Sequence, residues 1–255
     1  RVAQTTAGFT GADLENLLNE AAILAAKQSR RYILQADIDQ AFVKVGIGAE
    51  KKSKVISEKE KKITAYHETG HAILFHELPD VGPVHTISII PTGMGAAGYT
   101  MPLPEKDEMF NTKSKMLETI MVSLGGRIAE EIIFGDVTTG ASQDIKQASA
   151  IARAMVTQYG MSPKFGLIGL ETVENQYLSG RTVLNCSDEM AAEVDREVMQ
   201  ILKDSYAEAK RLLTENREAL DKIAAFLIEK ETITGEEFMR ILTAVPQLPT
   251  GAVEQ

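Results

Sequence analysis

The 255-residue sequence predicts a mainly α fold with a small β hairpin or sheet, preceded by a compact helical unit. Three observations carry this expectation. Apolar residues recur at three- and four-residue spacing through most of the chain, as they do along one face of a helix. Several of these stretches open on a Ser or Thr with an acidic residue three places later, the pattern that satisfies the free N–H groups of a first helical turn. Only His85-Thr86-Ile87-Ser88-Ile89-Ile90 shows the alternation and β-branching of a strand.

In chain order, Thr10-Gly11-Ala12-Asp13 caps a helix whose apolar stripe is Leu14, Leu17, Leu18, Ala21, Ala22, Leu24 and Ala25. Gln35–Phe42 forms a second helix, and Gly46, Gly48 and the Lys-rich 51–54 stretch read as a linker. Ser57-Glu58-Lys59-Glu60 is a capping box that opens a helix running to Pro79, where a missing N–H and a fixed ring stop it. The strand follows, then the glycine-rich loop 93–98, with Tyr99-Thr100-Met101 returning as its partner. From Thr112 onward the chain reads as helical almost to its end. Gly125-Gly126 inside the first of these helices costs about 1 kcal/mol per glycine against alanine, so another backbone is expected to lie close there. Gly135 ends that helix, and Ser142 is expected to cap the next. Thr234-Gly235-Glu236-Glu237 is a further capping box, flanked by Ile233 and Phe238 as a hydrophobic staple.

Composition bounds the function. A net charge of -9 argues against a nucleic-acid surface, which needs clustered Lys and Arg to meet phosphates. With Cys186 alone, no internal disulfide can form, which suits a reducing compartment. No run of about 18 apolar residues crosses a membrane, and no signal peptide is present. The start on Arg1 rather than Met suggests a piece of something longer.

The chemistry concentrates at His67-Glu68-Thr69-Gly70-His71. On a helix, residues i and i+4 share a face, so both imidazoles can be aimed at one cation. Neutral imidazole suits zinc, and Glu68 stands at a neighbouring angle as a general base for an attacking water. A catalytic zinc takes three protein ligands and keeps one open position. His76 and His85 are the remaining histidines, and Leu74 and Glu77 stand where a metzincin extension has glycine and histidine. Glu130, Glu131, Asp136 and Asp144 are acidic candidates for the third ligand. Asp144 lies in a helix's first turn after Thr138-Thr139-Gly140-Ala141-Ser142, where it equally serves the helix dipole. Spacing leaves Asp144 and the Glu130/Glu131 pair level.

The strand has two readings: an ordinary hairpin, or an edge where an extended peptide pairs through the main chain of Ile87, Ser88, Ile89 and Ile90. The glycine-rich loop 93–98 reads as a flap; a phosphate cradle is disfavoured, since no Lys-Ser or Lys-Thr follows to complete a P-loop.

These residues together resemble the FtsH family of membrane-anchored, ATP-dependent AAA+ zinc proteases. The likeness rests on Gly8-Phe9-Thr10-Gly11-Ala12-Asp13-Leu14, on the His67–His71 run, on Gly125-Gly126-Arg127-Ile128-Ala129-Glu130-Glu131 and on Thr138–Ile145. It implies that Asp144 completes the zinc site, and that Glu130 and Glu131 are structural or support it. It assigns residues 1–48 to the end of an AAA+ helical lid, 49–56 to a linker, 57–245 to a zinc metalloprotease domain and 246–255 to a flexible tail. Gly11 and Ala12 match a segment near nucleotide in an intact ATPase, but no Gly-x-x-x-x-Gly-Lys-Ser/Thr is present, so ATP belongs to the full-length protein only. The resemblance also implies a homo-hexamer acting in protein quality control on unfolded membrane and cytosolic proteins. Its place would be the cytoplasmic face of a bacterial inner membrane or an organelle equivalent, held by a segment outside this chain, which alone is expected to be soluble. The competing reading is a catalytically silent, ring-forming scaffold, which has no chemical need for Glu68.

Overall fold

A computed structural model describes residues 2–6, 8–46, 48, 56–92, 96–103, 110–174 and 181–244. The expected linker, apart from Ile56, and the expected tail lie outside the described residues, as do residues 93–95 of the glycine-rich loop. The elements, in order, are α1 (Val2–Thr5), α2 (Gly11–Lys27), α3 (Gln35–Gly46), α4 (Glu58–Glu77), β1 (Val84–Ser88), β2 (Tyr99–Pro102) and α5 (Lys113–Phe134). A 3-10 turn at Thr139–Ala141 leads into α6 (Ser142–Thr157). Then come β3 (Glu171–Glu174), β4 (Arg181–Leu184), α7 (Asp188–Glu215), α8 (Arg217–Lys230), β5 (Thr232–Thr234) and α9 (Gly235–Thr243). The fold is mainly α, as expected. No helix among the described residues is long and apolar enough to cross a membrane.

The chain forms two compact units, and the division falls within α4, between Thr69 and Gly70. The first unit holds residues 1–69, 82–108 and 217–255. Its N-terminal helices pack around Leu17, Ala21 and Ala41, with Phe9 stacked on Phe42 at 5.6 Å between ring centroids. The Thr10 capping box forms as expected, Thr10 Oγ1 accepting from Asp13 N while the Asp13 carboxylate accepts from Thr10 N. The apolar stripe of α2 is narrower than its sequence implies: Leu17, Ala21 and Ala25 are buried, but Leu14 and Leu18 are exposed. The Ser57 capping box also forms, with Glu60 accepting from Ser57 N at 3.1 Å.

A three-stranded antiparallel sheet in this unit has the order β2-β1-β5. Thr86, Ile87 and Ser88 pair with Met101, Thr100 and Tyr99 on one side, and with Thr234, Ile233 and Thr232 on the other. This corrects the edge-strand expectation. β1 is the central strand, its ladder filled on both sides, and the chain continues with Ile89 N donating to Glu231 O. Ile89 and Ile90 lie beyond the strand. The partner β5 is a three-residue segment wedged between two helices, too short for alternation to announce it. Behind it the Thr234/Glu237 capping box starts α9, and the two staple residues Ile233 and Phe238 are both buried.

The second unit holds residues 70–81 and 109–216, with α5, α6 and α7 packed on one another. Its core includes Ile73, Leu74, Ile120, Ile128, Met155, Val194 and Leu213. The glycine expectation holds: a Cβ placed on Gly70 would meet Gly125 O at 2.5 Å and Ala129 Cβ at 2.7 Å. Thus α4 and α5 touch backbone to backbone. Gly135 ends α5 in the left-handed conformation, with its N–H on Glu131 O. Ser142 is the first residue of α6 rather than its cap; Thr138 caps the 3-10 turn before it. The expectation of nearly unbroken helix after Thr112 fails at β3–β4, an antiparallel pair in which Thr172 faces Val183 and Val173 faces Thr182.

Candidate metal centre

The Ser57 box and the stop at Leu78-Pro79 give α4 its length, and the motif falls in its middle. His67, Glu68 and His71 are only 9%, 6% and 8% exposed. Thr69 is fully buried and returns its hydroxyl to Ala65 O at 2.7 Å, so it needs no other acceptor. Helical spacing then fixes the two imidazoles one turn apart on a single rigid element.

The orientation of His71 is set from α5. Its Nδ1 lies 2.7 Å from Val122 O. A carbonyl only accepts, so Nδ1 carries the proton and Nε2 keeps its lone pair for a cation. That Nε2 stands 3.9 Å from Asp144 Oδ2. Asp144 is the third residue of α6 and about one quarter exposed, placed by the turn 138–141. The ligand atoms of His67, His71 and Asp144 all lie within 4.8 Å of one another. Three such atoms always have a point within about 2.8 Å of all of them, so side-chain motions under an ångström reach zinc–ligand distances of about 2.0–2.2 Å. Two imidazoles and one carboxylate also form a donor set that zinc favours, and the residues present fit the ion.

The other candidates are engaged elsewhere. Glu130, 1% exposed, accepts from Thr138 N at 2.7 Å and from Thr138 Oγ1 at 3.2 Å. It therefore anchors the turn that delivers Asp144. Glu131 pairs with Lys210 at 2.7 Å, and Asp136 accepts from Val137 N. His76 is exposed at the end of α4. His85 contacts the Thr86 hydroxyl at 2.7 Å and meets the Phe42 ring edge-on. Gly11 and Ala12 are exposed in the first turn of α2.

Two further residues bear on Glu68, and the motif gave no sign of them. Thr100 Oγ1 lies 2.8 Å from Glu68 Oε2 and 3.0 Å from Glu68 O. Gly98 lies flat against the same side chain: a Cβ there would be 2.9 Å from Glu68 Cγ and 2.8 Å from Thr64 Cγ2. Pairing β2 with β1 brings Thr100 opposite Ile87, and that long-range register is what the sequence alone does not reveal.

Known proteins resemble this chain over most of its length. Residues 54–241 match the profile of peptidase family M41, and residues 1–40 match that of the AAA+ lid domain. A protein of Caldicellulosiruptor bescii named ATP-dependent zinc metalloprotease FtsH is 50% identical over 253 residues, covering 97% of this chain and 41% of that protein. One of the same name from Clostridium perfringens is 48% identical over 241 residues, covering 94% and 34%, and one from Thermus thermophilus is 45% identical over 245, covering 96% and 39%. The chain thus spans roughly two fifths or less of the relatives it matches. The match to the peptidase profile takes in both histidines, Glu68 and Asp144 and runs over most of the sequence, and on that ground the chain belongs to peptidase family M41.

Proposed function

We propose that this chain is the zinc-dependent endopeptidase portion of a longer, ATP-driven protease, and that it hydrolyses peptide bonds in unfolded polypeptides. The observation that carries the reading is the convergence of two buried imidazoles on one carboxylate, with a second carboxylate one residue from the first histidine. His67, His71 and Asp144 would hold the metal. When bound, zinc supplies a Lewis acid for the scissile carbonyl and lowers the pKa of an attacking water to about 7. Glu68, held by Thr100, accepts a proton from that water and returns it to the departing amine. Val122 O keeps His71 in the tautomer that leaves Nε2 available.

An extended substrate can pair along an edge strand of the sheet, and the edge that carries Thr100 is β2. Among the described residues, β2 has β1 as its sheet neighbour and nothing on its other side. A peptide laid along that outer edge takes main-chain hydrogen bonds, which read little sequence. This moves the substrate-binding role from Ile87–Ile90 to Tyr99–Pro102. Residues 1–48 are read as the end of the ATPase lid, with Gly11 and Ala12 near nucleotide only when the rest of that module is present. Assembly as a homo-hexamer, a membrane anchor beyond this chain and a cytoplasmic position of the site belong to the same reading.

The test is zinc content and peptidase activity of the wild type, Glu68→Gln and Asp144→Ala. The expected results are one zinc with degradation of casein without ATP, one zinc with activity lost, and lowered zinc occupancy. A zinc-loaded, assembled wild type inert toward casein and unfolded peptides refutes the enzyme and leaves the silent scaffold. Unchanged occupancy in Asp144→Ala refutes that ligand.

A further inference from the structure

We infer that Thr100 is a positioning residue for the Glu68 carboxylate, with Gly98 providing the surface that makes its grip possible. The inference rests on the reading of Glu68 as general base. Three rotatable bonds separate a glutamate carboxylate from its helix, so α4 alone fixes where Glu68 starts and not where its oxygens lie. β2 and the residue just before it limit that freedom at two places. Gly98, just before the strand, and Thr100, within it, both lie against the Glu68 side chain. Gly98 abuts Glu68 so closely that an added methyl group would clash, at 2.9 Å from Glu68 Cγ and 2.7 Å from Ser88 O. Thr100 then reaches Glu68 Oε2 at 2.8 Å.

A threonine hydroxyl has one proton and two oxygen neighbours here, the carboxylate and Glu68 O at 3.0 Å. A hydrogen bond to an ionised carboxylate is the shorter and stronger of the two kinds, which places the proton on Oε2. That leaves the other carboxylate oxygen as the basic one toward water. The hydroxyl comes from a strand paired in register with β1, so the anchor is as rigid as the sheet. A base that must meet a water at hydrogen-bond distance gains from such an anchor, because a misplacement of about 1 Å costs roughly 100-fold in rate.

The experiment compares Thr100→Val, Thr100→Ser and Gly98→Ala with the wild type and Glu68→Gln, all zinc-loaded, on one fluorogenic peptide. Valine keeps the shape and strand preference of threonine without the hydroxyl. The expected result is a kcat roughly 10- to 100-fold lower for Thr100→Val, with KM and zinc content unchanged, and Thr100→Ser within about threefold of wild type. Crystal structures should show the Glu68 carboxylate moved or spread over several rotamers in Thr100→Val and Gly98→Ala, and single in Thr100→Ser. Adding Thr100→Val to Glu68→Gln should cost nothing more. A wild-type kcat in Thr100→Val, with Glu68→Gln inactive, overturns the role of Thr100 and leaves that of Glu68. Activity retained in Glu68→Gln overturns the general-base reading itself. A loss in Thr100→Val that serine does not restore also overturns the proposal.

Discussion

Replacing Gly70 by alanine tests the closest approach in the fold, and it does so inside the metal motif. The new Cβ would stand 2.5 Å from Gly125 O and 2.7 Å from Ala129 Cβ. Ordinary van der Waals contact begins near 3.4 Å. Helix α4 must therefore withdraw from α5 by about 0.9 Å, since neither a backbone oxygen nor a helical Cβ can swing aside. Overpacking of this kind costs about 1–3 kcal/mol, and backbone on one side of the clash puts the cost at the upper end. The better helix propensity of alanine returns about 1 kcal/mol. The net loss is about 2 kcal/mol, which for a domain of this size lowers Tm by about 4–8 °C. The same withdrawal stretches the 2.7 Å contact between His71 Nδ1 and Val122 O beyond hydrogen-bond range. Loss of such a supporting contact weakens metal binding by about 10- to 100-fold. Thermal unfolding followed by circular dichroism in chelator gives the first number, and zinc competition against a chromophoric chelator gives the second. Gly11→Ala is the control, with no atom within 4 Å of its added Cβ and no expected change in either. A Gly70→Ala protein that melts at or above the wild-type temperature and binds zinc equally well refutes the packing argument.

Two pH-dependent effects follow from other carboxylates. Burial pushes the Glu118 carboxyl above its ordinary value of 4.5, against the opposing hydrogen bond from Asp80 N at 2.7 Å. A raised folded-state pKa stabilises the fold below the unfolded value and loses that stabilisation as pH rises through the folded one. Glu118→Gln, which keeps an acceptor for Asp80 N, should gain in Tm over wild type as pH rises above 4.5 and through the raised folded-state value; a pH-independent difference contradicts this. In the N-terminal helices, Arg30 and then Leu34 N hold Asp37 well down, at about 2 against an ordinary 3.8. Its stabilisation is present above pH 3.8 and disappears as pH falls toward 2. The Tm advantage of wild type over Asp37→Asn should therefore vanish across that window, and an advantage that persists at pH 2 refutes the assignment.

Legibility in the sequence tracked the range of the interaction concerned. The capping boxes at Thr10, Ser57 and Thr234, the stop before Pro79 and the apposition implied by Gly125-Gly126 are local or compositional, and the residues announced each of them. Two histidines four apart needed only helix geometry. The third corner came from the resemblance, because the spacing of Asp144 and Glu130 to the motif is uninformative until α5 and α6 are packed. Once they are, Glu130 is seen to be committed to Thr138. The sheet was read least well. β1 carried a strand signal, but whether a strand lies inside or at an edge depends on partners, and β5 is three residues long. β3 and β4 left a faint trace in the β-branched pairs Thr172-Val173 and Thr182-Val183, which the expectation of continuous helix passed over. Thr100 is invisible in the motif for the same reason: its partner is 32 residues away.

The partner that orients His71 has an evolutionary consequence. Its acceptor is a peptide carbonyl, a group every residue at position 122 would supply. Random substitution there can alter packing, yet it cannot delete the acceptor while α5 stays helical. In an α-helix that oxygen also receives the N–H of residue 126, so imidazole and helix draw on one atom with two lone pairs. The tautomer is thus encoded in secondary structure rather than in any side chain. A lineage can drift widely around this centre before His71 turns, and when it does, the helix will have failed first.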